Sequence, residues 1–110
     1  MNFKSLLLAG VLTLSSLSIA SAKSYTITLD SASKAGNLTL QPGDYKVKVE
    51  GTNAIFRDER TDKTFTAPVK IDNTGKKHDS TAVVSTTQDG TQRIKEIELG
   101  GSDETLEFGD

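Results

Sequence analysis

The chain has 110 residues, of which 13 are basic and 15 acidic, and it contains no cysteine and no tryptophan. This length predicts one domain, and the near balance of charge excludes the basic footprint of a nucleic-acid-binding protein. The lack of cysteine excludes a disulfide framework and a lipid-bearing cysteine, so a domain this small depends on its apolar core for stability.

The first 22 residues have the pattern of a secretory signal peptide. Lys4 precedes an uncharged run from residue 5 to residue 19, and Ala20 to Ala22 supplies the small residues of a cleavage site. Three serines interrupt the run, which makes it too short for a membrane span of about 20 residues. We therefore predict residues 1–22 as the signal peptide, residues 23–110 as a periplasmic or extracellular domain, and no membrane span after cleavage.

Charge in the predicted mature region is mild and mixed. Only Lys4 among the charged residues lies in the first 22, so residues 23–110 carry 12 basic and 15 acidic side chains, a net charge of −3. Interspersed charges of both signs favour solubility and predict no nucleic-acid partner.

Turn signals recur along the mature region at about the 8 to 12 residue spacing of a β-sandwich or barrel. Between them apolar and polar residues alternate, and no helical period is present. The pattern predicts an all-β fold, a single small antiparallel β-sandwich of about seven to eight strands. The turns are Pro42-Gly43, Gly51-Thr52-Asn53, Thr61-Asp62-Lys63, Asn73-Thr74-Gly75, Asp89-Gly90 and Gly100-Gly101.

Two strands carry irregularities that constrain them. In the run from residue 93 to residue 99, Ile97 and Leu99 share a phase that Ile94 does not. A β-bulge near Lys95 would turn all three inward. Pro68 restricts its own strand to a sheet edge or a bulge, because proline has no amide proton for a central ladder.

The stretch L-T-L-Q-P-G-D-Y-K-V-K-V, residues 38–49, predicts a β-hairpin with a type II turn. Pro42 presets φ at the second turn position, and Gly43 tolerates the positive φ of the third. Alternation then places the apolar residues after the turn on one face, toward the core. The predicted turn and core residues are Leu40, Pro42, Gly43, Tyr45, Val47 and Val49.

This hairpin resembles that of transthyretin-like and carboxypeptidase-regulatory-like sandwich domains. Taken with the ending I-E-L-G-G-S-D-E-T-L-E-F, residues 97–108, it is similar to a group of small exported bacterial β proteins of uncharacterised role. The resemblance implies an immunoglobulin-like or transthyretin-like sandwich and brings no catalytic residues, since such folds host many functions.

His78, the only histidine, lies in G-K-K-H-D-S and suggests a His-Asp-Ser set. Neighbours on an extended chain point to opposite faces, whereas a catalytic triad is assembled from distant segments. We therefore predict an exposed loop histidine and no catalytic residues. One histidine without cysteine also cannot form a zinc site.

Two acidic turns offer oxygen ligands to calcium. Asp and Asn also occupy turns for local hydrogen bonding, and neither turn has a D-x-D-x-D-G pattern, so we predict no metal site and no cofactor. The candidates are Asp58, Glu59 and Asp62 in one turn, and Asp72, Asn73 and Asp79 in the other.

The remaining hypothesis is a non-enzymatic structural or protein-interaction module, whose partner would be another protein that adds a strand to a sheet edge. Near one candidate edge Pro68, Lys70, Lys76 and Lys77 favour protection against such pairing. The Ser- and Thr-rich run from residue 80 to residue 87 is typical of solvated strand positions. The alternative is a small ligand-binding or carbohydrate-binding module, which requires a concave site with convergent polar groups.

Overall fold

The computed structural model describes residues 23–109, which form ten β-strands and no helix. The predicted signal peptide, residues 1–22, lies outside the described residues. The predicted all-β fold is confirmed, with more strands than the seven to eight expected. The strands are β1 (Ser24–Leu29), β2 (Ser33–Ala35), β3 (Leu38–Leu40), β4 (Gly43–Glu50), β5 (Asn53–Asp58), β6 (Thr64–Pro68), β7 (Lys70–Asn73), β8 (Ala82–Gln88), β9 (Thr91–Glu98) and β10 (Glu104–Glu107).

Two sheets pack together around one core, as in a small β-sandwich. The four-stranded sheet has the order β1-β4-β5-β6 and is antiparallel throughout. The six-stranded sheet is built on β9, which pairs with β8 along one side. On its other side β9 pairs first with β2 and then with β10. Strand β2 pairs in turn with β3, and β10 pairs with β7. The pairing of β9 with β2 is parallel, a departure from the antiparallel pattern expected.

Alternating residues of both sheets supply the core, because successive side chains of a strand point to opposite faces. Tyr45 and Phe56 are buried from the four-stranded sheet, with their ring centroids 6.4 Å apart in an edge-to-face arrangement. Leu40, Ile97 and Leu106 are buried from the six-stranded sheet. The core therefore lies between the sheets, and functional contacts must use the outer faces, the loops or the sheet edges.

The predicted hairpin over residues 38–49 is wrong. Leu40 in β3 pairs with Ser33 of the six-stranded sheet, whereas Gly43 in β4 pairs with Leu29 of the four-stranded sheet. Pro42 lies in the link between the two sheets. Gly43 does adopt a positive φ, +142°, but it begins a strand there and is not the third residue of a type II turn. Turn residues mark a change of chain direction, and they do not specify which strand each arm pairs with.

The bulge and the edge assignment are confirmed. The register of β8 against β9 shifts between Ile94 and Glu96, which turns Ile94, Ile97 and Leu99 all inward. The strand that ends at Pro68, β6, pairs only with β5 among the described strands and therefore lies at a sheet edge.

Candidate functional site

His78 is held by the outer face of the six-stranded sheet. Its Nε2 atom lies 3.1 Å from the Thr105 hydroxyl, and its Nδ1 atom lies 4.0 Å from a carboxylate oxygen of Glu98. Its backbone N–H donates to the Ser102 carbonyl, and its own carbonyl accepts from the Gly101 N–H. The side chain is only 16% exposed, so the prediction of an exposed loop histidine is wrong. The loop carrying it folds back over β10, which no local pattern indicated.

The contacts of the His78 imidazole indicate a structural role. Its ring contacts Thr105 and Glu98 from other strands, and it makes no hydrogen bond with the neighbouring Asp79 or Ser80. Thr105 is itself buried, so the ring satisfies a hydroxyl that lies under the loop. These contacts pin the loop between β7 and β8 against the sheet.

The acidic turn after β5 is closed by its own carboxylates. Asp58 is 8% exposed, and one of its carboxylate oxygens accepts the backbone N–H of Arg60 at 2.8 Å and that of Thr61 at 3.4 Å. The other oxygen lies 3.8 Å from the Arg60 guanidinium, and Asp62 pairs with Arg57 at 3.6 Å. The carboxylates therefore stabilise a turn and are already paired with cations.

In the other acidic turn, the Asn73 amide donates to the Asp103 carboxylate at 3.2 Å. Within residues 23–109 no group of three or more histidine, aspartate or glutamate side chains lies close enough to hold a metal ion. Neither of the two turns considered for calcium therefore gathers three of these side chains into one set of ligands.

The buried phenol of Tyr45 has a pKa above its ordinary value. Burial raises the pKa of its phenol, and the Asp58 carboxylate raises it further, against the opposing effect of the Arg60 guanidinium. The hydroxyl donates to the Gln41 carbonyl at 2.6 Å, and the residue is 1% exposed. A buried, protonated phenol of this kind stabilises the fold and cannot reach a substrate.

The other predicted turn and core residues divide by exposure. Leu40 and Val47 are fully buried beside Tyr45, Val49 is half-buried at the margin of the core, and Pro42 is exposed in the link between the sheets. They form the framework of the sandwich and do not converge on a surface site.

Several depressions on the described surface are open to solvent. One of about 360 Å³ lies at the end of β8 and β9, where Arg93 and Lys95 supply positive charge beside Phe108. Another of about 160 Å³ lies over the turn at Gly36 and Asn37. Both are open surface hollows rather than enclosed cavities.

Five described strands have a neighbour on one side only: β1, β3, β6, β7 and β8. Unpaired edges template further strand pairing, so proteins commonly shorten them or place proline and charge on them. In this chain β3 has three residues, β6 ends in Pro68, and β7 carries Lys70 and Asp72. Three of the five edges are therefore protected.

Strand β8 has none of these protections. Its seven residues, A-V-V-S-T-T-Q, contain no charge, proline or glycine, and among the described residues only β9 pairs with it. Val84 is 39% exposed, the one large apolar side chain exposed to that degree in the described region. We call the unpaired side of residues 82–88 the open edge of β8. The Ser- and Thr-rich pattern at Ser85, Thr86 and Thr87 is typical of solvated strand positions, but their uncharged, β-branched surroundings also indicate an unprotected edge.

Strand β1 is also uncharged, but its outer-face hydroxyls are hydrogen-bonded to charged side chains of the neighbouring strand β4. The Lys46 ammonium donates to the Thr26 hydroxyl at 3.1 Å, and the Thr28 hydroxyl donates to the Asp44 carboxylate at 2.7 Å. It exposes no large apolar side chain. The open edge of β8 is therefore the least protected of the five.

No helix that could cross a membrane occurs in residues 23–109. The relationship to transthyretin-like and carboxypeptidase-regulatory-like domains stays a prediction. Comparisons of the chain with family models, with curated proteins and with solved structures find no match.

Proposed function

We propose that the protein is a non-enzymatic β-sandwich that is exported to the periplasm or the cell exterior and binds another protein chain through the open edge of β8. The observation that supports this most is the length of uncharged, unprotected edge that β8 presents. Proteins seldom leave such an edge bare unless it is used, because it otherwise promotes aggregation.

The binding mode is the addition of a strand. Every second residue of an edge strand directs its N–H and C=O groups away from the sheet, where an incoming strand can pair with them. Val84 and Thr86 project together on the outer face beside this edge, and both are exposed. Backbone pairing supplies affinity, and contact with these two side chains supplies selectivity.

Support for a non-enzymatic role comes from the groups that catalysis would need. His78 holds a loop, Asp58 closes a turn, and Tyr45 is buried with its hydroxyl bonded to a carbonyl. Support for export comes from the signal-peptide pattern of residues 1–22.

A second candidate function is a small ligand-binding module. The depression beside Arg93 and Lys95 favours an acidic ligand, because two cations line one open hollow. Binding there would require Arg93, whereas strand addition would require the open edge.

Affinity capture tests the first proposal. The protein, expressed from its full sequence and immobilised, is exposed to envelope fractions and culture fluid, and retained proteins are identified by mass spectrometry. Val84→Lys places a charge beside the open edge and should abolish retention of a specific protein. Thr66→Lys, on the proline-protected strand β6, is the matched control and should retain that protein.

If the wild-type chain, Val84→Lys and Thr66→Lys all retain the same protein equally, or if none of them retains a protein, binding through β8 is contradicted. A different result is retention of small acidic molecules that is abolished by Arg93→Ala and preserved by Val84→Lys. That result would replace the protein-binding function by the ligand-binding one. Thermal unfolding of each variant checks that an exposed substitution has left the fold intact.

A further inference from the structure

We propose that the chain which occupies the open edge of β8 is β8 of a second copy of this protein, paired antiparallel about a two-fold axis at Ser85. The two six-stranded sheets would then form one continuous sheet across both molecules. This inference rests on the proposed function, since both use the same edge, and it specifies the partner.

The first step concerns which side chains share the outer face of the six-stranded sheet. Residues directly opposite each other on paired strands project to the same face. One row across the sheet therefore contains Val84, Glu96, Glu107 and Lys70. The neighbouring row contains Thr86, Arg93, Lys34 and Thr39.

On the outer face beside β8, one of these two rows is acidic and the other is basic. The row of Val84 continues into two carboxylates, Glu96 and Glu107. The row of Thr86 continues into two cations, Arg93 and Lys34. The acidic row and the basic row are neighbours along the direction of β8. The orientation and register of a partner strand therefore decide whether each row meets a row of like or of unlike charge.

Antiparallel pairing centred on Ser85 brings unlike charges together. Residues at equal distances before and after Ser85 then lie opposite each other, so Val84 faces Thr86 of the second copy. The acidic row of one molecule thereby continues into the basic row of the other. Strand spacing of about 4.8 Å separates the two β9 strands by roughly 14 Å, which the long side chains of Arg93 and Glu96 can span over Thr86 and Val84.

Other registers are less favourable. A parallel arrangement of two open edges requires an axis along the strands, which places the outer face of one sheet beside the inner face of the other. A shift of the antiparallel two-fold axis to Val84 sets Glu96 against Glu96 of the second copy. Like charges at this separation repel. An axis between two residues would put inner-face residues against outer-face residues. The Ser85 register also uses all seven residues of β8 and covers the exposed Val84.

Sedimentation equilibrium on the purified full chain, over a range of concentrations, tests the association. We expect a reversible monomer–dimer equilibrium that Val84→Lys abolishes and Thr66→Lys leaves unchanged. Arg93→Glu and Glu96→Arg should each raise the dimer dissociation constant about tenfold, because each contact occurs twice across the axis. The double variant should restore dimerisation, since the swapped charges are again complementary.

Cysteine cross-linking tests the register, and the chain has no cysteine of its own. Residues directly opposite on antiparallel strands have Cα atoms about 4.5 to 5.5 Å apart, within disulfide range. Ser85→Cys should therefore oxidise to a covalent dimer. Thr87→Cys is the matched control on the same face, and it should stay monomeric because the two copies of residue 87 would lie about 14 Å apart.

Each outcome supports or overturns the inference. A protein that stays monomeric at every concentration, or a double charge swap without rescue, overturns self-pairing. Cross-linking through Val84→Cys in place of Ser85→Cys overturns the register. A monomer that nevertheless captures a different protein through the edge of β8 overturns self-pairing alone, whereas a monomer that captures nothing overturns the proposed function as well.

Discussion

The Tyr45 hydroxyl donates a hydrogen bond of 2.6 Å to the Gln41 carbonyl, four residues earlier in the chain. Tyr45 belongs to the four-stranded sheet, and Gln41 follows directly after β3 of the six-stranded sheet. The bond therefore fastens the point where the chain crosses between sheets. A tyrosine hydroxyl bonded to backbone a few residues upstream is the same device as the tyrosine corner of immunoglobulin-like sandwiches.

Tyr45→Phe removes this hydrogen bond and keeps the buried ring. We expect a loss of about 1 kcal/mol in the free energy of unfolding, the usual net value of one intramolecular hydrogen bond. Tyr45→Ala also removes the ring from its contact with Phe56 and should cost at least about 3 kcal/mol. Urea unfolding measures both values. An alanine variant that loses less than about 1 kcal/mol would show that the ring is outside the core.

Gly43 has a φ of +142°, a conformation that residues with a Cβ atom rarely adopt, although no atom would lie within 4 Å of an added Cβ. Gly43→Val should therefore lower the free energy of unfolding by more than about 1 kcal/mol through backbone strain. Unchanged thermal stability would contradict the conformation described for this residue.

Gly100 is constrained by a close approach of the backbone. A Cβ atom there would lie 2.6 Å from the Thr81 nitrogen and 2.7 Å from the Ser80 carbonyl carbon. The Gly100 N–H also donates to the Thr81 hydroxyl at 3.0 Å. Gly100→Ala must push this loop away from the start of β8, so we expect a loss of about 1 to 3 kcal/mol, as for other overpacked sites.

Gly109→Ala is the matched control, since nothing lies within 4 Å of its added Cβ and no positive φ is required. Chemical denaturation of both variants measures the difference. Equal stability of the two would mean that the loop and Gly100 do not approach each other as described.

The raised pKa of Tyr45 predicts how stability depends on alkaline pH. Burial is the main cause of the rise, and the Asp58 carboxylate adds to it. The unfolded chain releases this proton near pH 10, whereas the folded chain holds it to a higher pH. The contribution of this phenol to stability is therefore fully present below about pH 10 and is lost as the pH rises through the folded pKa.

The measurement is the urea midpoint between pH 8 and pH 11. Tyr45→Phe should flatten the fall above pH 10 relative to the wild-type chain. Parallel profiles for Tyr45→Phe and wild type would contradict the role of burial.

The periodicity of single strands could be predicted from the sequence, and so could local interruptions of it. Alternation puts Ile97 and Leu99 in one phase and Ile94 out of it, so a bulge is required to bury all three, and the β8–β9 register contains one. Pro68 indicated an edge because a missing amide proton is a property of one residue. Such features depend on residues within a few positions of each other.

The partners of each strand could not be predicted in the same way. Strand β3 pairs only with the three residues of β2. Strand β2 pairs in turn with β9, in parallel, although β9 lies far along the chain. Gly36-Asn37, which joins β2 to β3, is a hairpin signal that the predicted set of turns does not include. The open edge of β8 follows from sheet order, and sheet order is a property of the whole fold.

Amide hydrogen exchange of β8, read residue by residue by NMR, tests the central claim most directly. If the open edge accepts a strand, alternate amides of residues 82–88 should exchange fast in dilute protein and become protected as concentration rises or a captured partner is added. The amides between β8 and β9 should be protected throughout. Alternate β8 amides that exchange at the same rate under all these conditions would contradict a role for this edge in binding.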